Sequence, residues 1–379
     1  MKVYVVNEGD TLQSIAEKFR VSVERLAFDN EIQRQELVVG QALLILEPEQ
    51  IYTIEEGDTL AGIAEQFGQT VIHLVRSNPY LLNETFLLPG RQIVITYKDM
   101  ENREMDVSGY AYSFIKEAVL EETLLYIDEL LPFSYGYNED GSLIAMNDDR
   151  LLSEADRFGR RKRMVITLLD RNERFNNQLV IRLLESSVIQ DTLLVNILNV
   201  MREKGYQALD IDFEFIPAPY REAYVAFIQK TTKMLHNSGF EVSVAVPPKI
   251  ADDQPGLLYE GIDYEGIGRA ADTVFLMTYE WGYKYGPPMA VAPVPNVRRV
   301  LDYAVSVIPN DKIYMGIPNY AYDWPLPFER NVTEAETIGN VEAVRRAYQY
   351  RTEILYDETA RAPYYYYTKD VIQHVVWFE

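Results

Sequence analysis

Cysteine is absent from all 379 residues, so neither a disulfide framework nor a thiolate metal site is available. Histidine is nearly as scarce. The three present, His73, His236 and His374, are isolated from one another, which argues against a histidine-based metal centre. Bases are in deficit, 36 against 58 acids, and a net charge of −22 argues against a nucleic-acid partner or a polybasic membrane anchor. No window approaches the length of a membrane span. Met1-Lys2-Val3-Tyr4 runs directly into folded-looking sequence, so no signal peptide and no membrane partner are expected. Tryptophan occurs only 3 times, yet there are 28 tyrosines within a 47% hydrophobic chain. That is a globular composition with a full core. Most of these tyrosines are expected in ordinary core and strand positions, and some suit the apolar faces and polar edges of sugar rings.

The first hundred residues repeat. Tyr4-Val5-Val6-Asn7-Glu8-Gly9-Asp10-Thr11-Leu12 matches Tyr52-Thr53-Ile54-Glu55-Glu56-Gly57-Asp58-Thr59-Leu60 at an offset of 48 residues. Ser14-Ile15-Ala16-Glu17-Lys18-Phe19 matches Gly62-Ile63-Ala64-Glu65-Gln66-Phe67, and Asn30 matches Asn78, at the same offset. Each copy reads strand, helix, helix, strand, with Gly-Asp-Thr as a turn and helix cap. Two copies are too few for a solenoid and fit tandem modules over 1–48 and 49–98. The pattern resembles the LysM module, which implies binding of N-acetylglucosamine (GlcNAc) glycans such as peptidoglycan or chitin. Carried over residue by residue, the resemblance points to Gly9, Asp10, Thr11 and Leu12 with Asn30, and to Gly57, Asp58, Thr59 and Leu60 with Asn78. Turn and cap structure explains the glycines and threonines at least as well. Two linked weak sites add avidity on a polymer.

Asp210-Ile211-Asp212-Phe213-Glu214-Phe215 alternates acids with large apolar residues. In a strand the three acids share one face and Ile211, Phe213 and Phe215 share the other. Such a strand either wets an antiparallel sheet or lines a barrel interior, where unpaired carboxylates are too costly to keep without a use. From residue 107 onward short apolar strands alternate with helix-like stretches. Strands are expected near 107–114, 131–137, 163–169, 207–215, 240–247, 272–279, 312–318 and 371–377, with a clear helix over 176–204. Eight strands imply an α/β fold, a (β/α)₈ TIM barrel over 104–379, with Glu214 at the C-terminal mouth. Tyr279, alternating with Met277 on strand six, reaches the same mouth. Trp377, closing strand eight, provides a sugar platform there. The chain stops at Glu379, so the last barrel helix is expected to be lacking.

Two segments carry a second resemblance. Leu209-Asp210-Ile211-Asp212-Phe213-Glu214 looks like the DxxDxDxE strand of family 18 glycoside hydrolases, and Met277-Thr278-Tyr279-Glu280 resembles that family's Met-x-Tyr-Asp signature. Gln207 stands where the first Asp belongs, Thr167-Leu168-Leu169-Asp170 replaces the Ser-x-Gly-Gly segment, and Glu280 replaces the last Asp. With its LysM copies the chain is similar to the spore-cortex-lytic N-acetylglucosaminidases of spore-forming bacteria. This implies hydrolysis of β-1,4 bonds after GlcNAc with retention, assisted by the substrate's acetamido group, a known exception to the two-carboxylate scheme. Glu214 becomes the acid and then the base, Asp212 holds the acetamide, Asp210 supports Asp212, and Tyr279 directs the acetamide oxygen. Asp212 lies roughly 6.5–7 Å from Glu214 along an extended strand, where its charge raises the Glu214 pKa. Trp377, Glu280, Tyr112 and Tyr320 are expected against substrate, and no cofactor or metal is required. The implied location is the spore coat or cortex, after synthesis in the cytosol. Alternatives are a chitinase and a catalytically silent, lectin-like glycan binder.

Overall fold

The computed structural model describes residues 2–33, 36–84, 86–98, 105–170 and 174–379. The N-terminal repeat is visible as two βααβ modules. The first comprises β1 (Lys2–Val5), α1 (Leu12–Phe19), α2 (Val23–Asp29) and β2 (Ala42–Ile45). The second comprises β3 (Pro48–Thr53), α3 (Leu60–Gln66), α4 (Val71–Ser77) and β4 (Gln92–Tyr97). Each module pairs its two strands antiparallel. Thr11, Ser22, Thr59 and Thr70 cap the four helices through their hydroxyls, satisfying backbone N–H groups at the N-termini. Leu12, Ile15, Ala16, Leu26, Leu43 and Ile45 form the core of the first module. Edge-on aromatic pairs recur at equivalent places, Tyr4 with Phe19 at 5.3 Å and Tyr52 with Phe67 at 5.4 Å. The modules are joined by the Arg25 guanidinium, which donates to the Ser77 carbonyl and lies 5.3 Å from the Tyr97 ring.

The middle of the chain adds β5 (Ser108–Tyr112), α5 (Glu117–Leu124), β6 (Glu129–Phe133), the short pair β7 (Gly136–Tyr137) and β8 (Leu143–Ile144), α6 (Asp149–Arg157) and β9 (Arg161–Thr167). There follow α7 (Gln178–Glu185), α8 (Ser187–Lys204), β10 (Ala208–Asp212), α9 (Arg221–His236), β11 (Glu241–Val246), α10 (Tyr264–Ala270), β12 (Thr273–Leu276), α11 (Val294–Val307) and β13 (Ile313–Met315). Seven of these strands form one parallel sheet in the order β13-β12-β11-β10-β9-β6-β5. Helices between consecutive strands make it the curled sheet of a TIM-barrel-like fold, and the central strands are buried on both faces. The helix expected over 176–204 is two helices. Ser186 turns extended between them, and its hydroxyl accepts from the Ile189 N–H to start α8.

The last part contains β14 (Tyr320–Pro325), β15 (Glu336–Gly339), α12 (Asn340–Gln349), β16 (Leu355–Asp357), β17 (Ala362–Lys369) and β18 (Ile372–Trp377). These strands form an antiparallel sheet in the order β15-β14-β18-β17-β16. The expectation of an eighth barrel strand at 371–377 is therefore corrected. Lys369 pairs with Ile372 across a two-residue turn in which Asp370 and Val371 both have positive φ (49° and 63°). Strands joined by two such residues form a hairpin, whereas a parallel barrel strand needs a crossover of a dozen residues or more. The chain divides into two compact units. One holds the parallel sheet (Met105–Tyr279 with Val294–Ile317), and the other holds the modules and the antiparallel sheet (Met1–Glu104, Glu280–Pro293 and Pro318–Glu379).

Candidate active site

The acid row begins on β10, in the middle of the parallel sheet. Asp210 and Asp212 are buried on one face, and β10 ends at Asp212 rather than continuing to 215. Glu214 lies just beyond, half-buried in the segment leaving the strand. Phe215 then takes a left-handed backbone, φ 56°, which is strained for a bulky side chain. Its ring is 41% exposed, so it does not join Ile211 and Phe213 under the helices as alternation predicts. Phe213 does, with the Phe227 ring stacked 6.2 Å away. The turn after Glu214 thus breaks the strand period directly behind the last acid of the row.

Asp210 is held from both sides. The Tyr110 hydroxyl donates to Oδ2 at 2.8 Å, and the Ser243 hydroxyl donates to Oδ1. Burial raises its pKa, opposed by Ser243, by the nearby Arg163 guanidinium and by Tyr110. Arg163 is itself bonded to Glu129 at 2.7 Å. Asp212 differs. Its Oδ1 is buried with no hydrogen-bond partner among the described residues. Burial first, then the charges of Glu214 and Asp210, push its pKa well above the ordinary carboxylate range. Two neighbouring acids in one desolvated row favour sharing a proton over carrying two charges. Burial likewise raises the Tyr110 phenol, so it stays a donor.

Tyr279 follows β12, whose regular pairing stops at Leu276. Thr278 is fully buried and its hydroxyl donates to the Gly316 carbonyl at 2.8 Å, tying this segment to the end of β13. Gly316 also sets the position of the phenol. A Cβ built there would lie 2.6 Å from Tyr279 Cε1, 2.8 Å from the Leu276 carbonyl and 3.0 Å from Phe275 Cζ. Only glycine leaves that space. The ring of Phe275 in turn lies between Tyr279 (6.4 Å) and Tyr110 (5.4 Å), linking the two phenols through one aromatic row. Glu280 immediately after Tyr279 has φ 67°, a second left-handed turn directly behind a signature residue.

The remaining predicted residues lie as follows. Tyr112 is on β5 with its exposed ring stacked on Phe114 at 5.0 Å, whereas Tyr110, two residues earlier, is the one that reaches the acid row. Glu280, Tyr320 and Trp377 belong to the other unit. Glu280 there accepts from the hydroxyls of Tyr320 and Tyr322, the latter at 2.9 Å. Trp377 is not at the end of a barrel strand, because β18 is antiparallel, and its indole stacks on Tyr364 at 4.5 Å.

In the modules, Asp10 Oδ2 accepts from the Tyr4 hydroxyl at 2.7 Å and the Asn7 N–H at 2.8 Å, and Asp58 repeats this with Tyr52 and Glu55. Asn30 bonds the backbone of Leu26 and Leu44, and Asn78 that of Leu74 and Val94. Thr11 and Thr59 are caps, Gly9 and Gly57 are left-handed turn residues, Leu12 is core and Leu60 half-buried. Tyr110, Ser243 and Gly316 were not anticipated. The first had a signal in the alternation of Ser-Gly-Tyr-Ala-Tyr. The other two depend on contacts between distant strands. Among the described residues no group of three or more His, Asp or Glu is arranged to hold a metal ion.

A curled parallel sheet with a carboxylate row at its C-terminal end, and a phenol seated beside it, defines a glycosidase of TIM-barrel type. The chain belongs to glycosyl hydrolases family 18, whose profile it matches over residues 182–379, and it carries LysM domains at 4–45 and 52–96. It is 37% identical to the cortical fragment-lytic enzyme of Bacillus subtilis (strain 168) over 384 residues, covering 100% of this chain and 89% of that protein. The crystal structure of the Bacillus megaterium QM B1551 spore cortex-lytic enzyme SleL is similar over 100% of this chain and 88% of its own, with a TM-score of 0.82 and 35% identity. A chitinase from Chromobacterium violaceum ATCC 12472 shares the fold at 22% identity and a TM-score of 0.66, over 73% of this chain and 86% of its own.

Proposed function

We propose that this glycoside hydrolase acts on spore-cortex peptidoglycan, cutting the β-1,4 bond after GlcNAc with retention and with help from the substrate's acetamido group. The observation that carries this is Asp212, buried with one oxygen unbonded between an acid held by two hydroxyls and an acid leaving the strand. A carboxyl in that state is ready for a partner that only substrate supplies. Glu214, half-buried at the strand end, protonates the leaving glycosidic oxygen and then removes a proton from the incoming water. Asp212 accepts the acetamide N–H while the acetamide oxygen attacks the anomeric carbon. Its proton passes to Asp210, whose negative charge Tyr110 and Ser243 stabilise until that proton arrives. Tyr279 donates to the acetamide oxygen and fixes its line of attack. Tyr112 offers an exposed ring to a sugar face.

The relatives named for cortex lysis, matched over this whole chain, support the cortex as substrate and the spore coat or cortex as the place of action. The LysM modules, over 1–48 and 49–98, deliver the catalytic part, 104–379, to the polymer. Incubation with purified spore cortex, vegetative peptidoglycan and chitin oligomers, with new reducing ends identified by mass, tests the proposal. GlcNAc reducing ends from cortex are expected. Products from chitin alone would make it a chitinase, and binding without products would make it a lectin.

A further inference from the structure

The two LysM modules present the same turn to different surroundings. Before the last strand of each module, a glycine N–H donates back to the end of the first strand: Gly40 to Val6 at 2.9 Å, Gly90 to Ile54 at 2.8 Å. The next residue closes the turn, Gln41 on Val38 at 3.0 Å and Arg91 on Leu88 at 3.1 Å. Val38 and Leu88 are therefore equivalent, as are Val39 and Pro89. In the first module this turn is buried against the antiparallel sheet of the same unit. Val38 is 4% exposed and packs with Ala321, Ile338, Ile354 and Val376. The Ile354 N–H donates to the Val39 carbonyl at 2.9 Å. A Cβ on Gly40 would lie 1.9 Å from the Ile354 carbonyl oxygen, so backbone meets backbone there. In the second module a Cβ on Gly90 meets nothing within 4 Å among the described residues, and Leu88 is 58% and Phe86 79% exposed. Beside this ledge the Arg91 guanidinium lies 4.0 Å over the Tyr80 ring, setting a polar edge next to an apolar face.

We infer that the tandem is asymmetric. The first module is the joint that fixes the pair to the antiparallel sheet through Val38–Gly40, and the second reads the glycan through its free turn at Phe86, Leu88 and Arg91. The ligand class is a β-1,4-linked GlcNAc polymer, so the inference rests on the glycan substrate proposed above. A hydrophobe at this turn position is buried by protein in one copy and left open in the other, and a sugar ring offers the flat apolar face that would cover it. Pre-fixing one module also removes the orientational freedom that a flexible tandem would lose on binding.

The test uses the full chain. Leu88→Asp should weaken sedimentation with insoluble peptidoglycan by about tenfold or more, the scale of a buried hot-spot contact. Val39→Asp, at the exposed side chain of the fixed turn, should leave it within about twofold. Gly40→Ala and Gly90→Ala carry the same backbone strain, φ 85° at both. Gly40→Ala should nonetheless lower Tm by several degrees more, because only its Cβ meets backbone. Equal Tm losses, or a Val39→Asp binding defect matching that of Leu88→Asp, would overturn the inference. Normal polymer binding by Leu88→Asp would overturn it too, provided the wild type releases reducing ends. A wild type that neither binds nor cleaves any glycan would instead sink the substrate reading, and the glycine pair still judges the joint.

Discussion

Asn30 and Asp212 are both short polar side chains withdrawn from solvent, and their hydrogen bonds differ completely. Asn30 makes three bonds with backbone, to Leu26 and Leu44, and so ties α2 to β2. Asp212 has a buried oxygen with no hydrogen-bond partner among the described residues. The fold consumes one side chain and tolerates the other at a cost on the order of 1–3 kcal/mol for an unmade buried bond. In the modules the polar residues of the sequence motif hold the structure. In the sheet Asp212 is withheld from it although Asp210 beside it is bonded, and that contrast separates architecture from chemistry more sharply than residue type does.

The largest expected effect comes from removing the proposed proton carrier. Glu214→Gln should lower kcat on the order of 10²–10⁴-fold, the contribution of a positioned acid, while binding to insoluble glycan persists. Retained turnover in a reducing-end assay would return Glu214 to the ordinary residues of a strand end. Tyr279→Phe comes next, on the order of 10²-fold in kcat with KM little changed, if its hydroxyl stabilises the acetamide oxygen during attack. Gly316→Ala tests the seat of the same ring. The added carbon at 2.6 Å from Tyr279 must displace the phenol. A kcat loss of about tenfold or more with a smaller change in KM is the mark of misplacement. If Gly316→Ala lowered only Tm, the glycine would be a packing residue and no more.

Asn30→Ala sharpens the structural side of the contrast. It leaves the Leu44 N–H and the Leu26 and Leu44 carbonyls without their partner, so Tm should fall by an amount corresponding to about 1–3 kcal/mol. Turnover of a soluble oligosaccharide should not follow it. A kcat change without a Tm change would show that Asn30 is not the anchor its bonds describe.

Much of this was legible in the sequence because it is local. The helix caps of the repeat span three residues, and seven parallel strands follow from apolar runs bounded by helices. Asp210 and Asp212 share a buried face as alternation requires. The failures arise where tertiary context overrides a local period. Phe215 leaves the apolar face because the chain turns left-handed behind Glu214. The sequence puts Trp377 on a barrel strand because the Val-Val-Trp run is apolar. The Asp370-Val371 turn, with no glycine to announce it, instead folds that run back on β17. Ser243 and Gly316 matter only through neighbours on other strands, which no single-chain pattern displays.

The subtlest prediction sets two aspartates against each other in pH. Asp10 has its pKa lowered, chiefly by the Asn7 N–H and then by the Tyr4 hydroxyl. Its contribution to stability is therefore present above the unfolded value, about 3.9, and is lost as pH falls below it toward the folded value. Asp212 has its pKa raised well above that value by burial and by Glu214 and Asp210. The folded protein then holds the extra proton, so this group costs nothing below about pH 3.9 and subtracts stability as pH climbs toward the folded pKa. Replacing each by Asn removes its titration. Relative to wild type, Asp10→Asn should lose Tm near neutrality and recover as the solution is acidified. Asp212→Asn should gain Tm with rising pH and show no such gain in acid. Tm scans over this range measure both. Parallel curves would mean that the acid of the turn and the acid of the sheet are doing the same job. Crossing curves mean that ionisation stabilises the fold at one and opposes it at the other, which is the condition the proposed role of Asp212 requires.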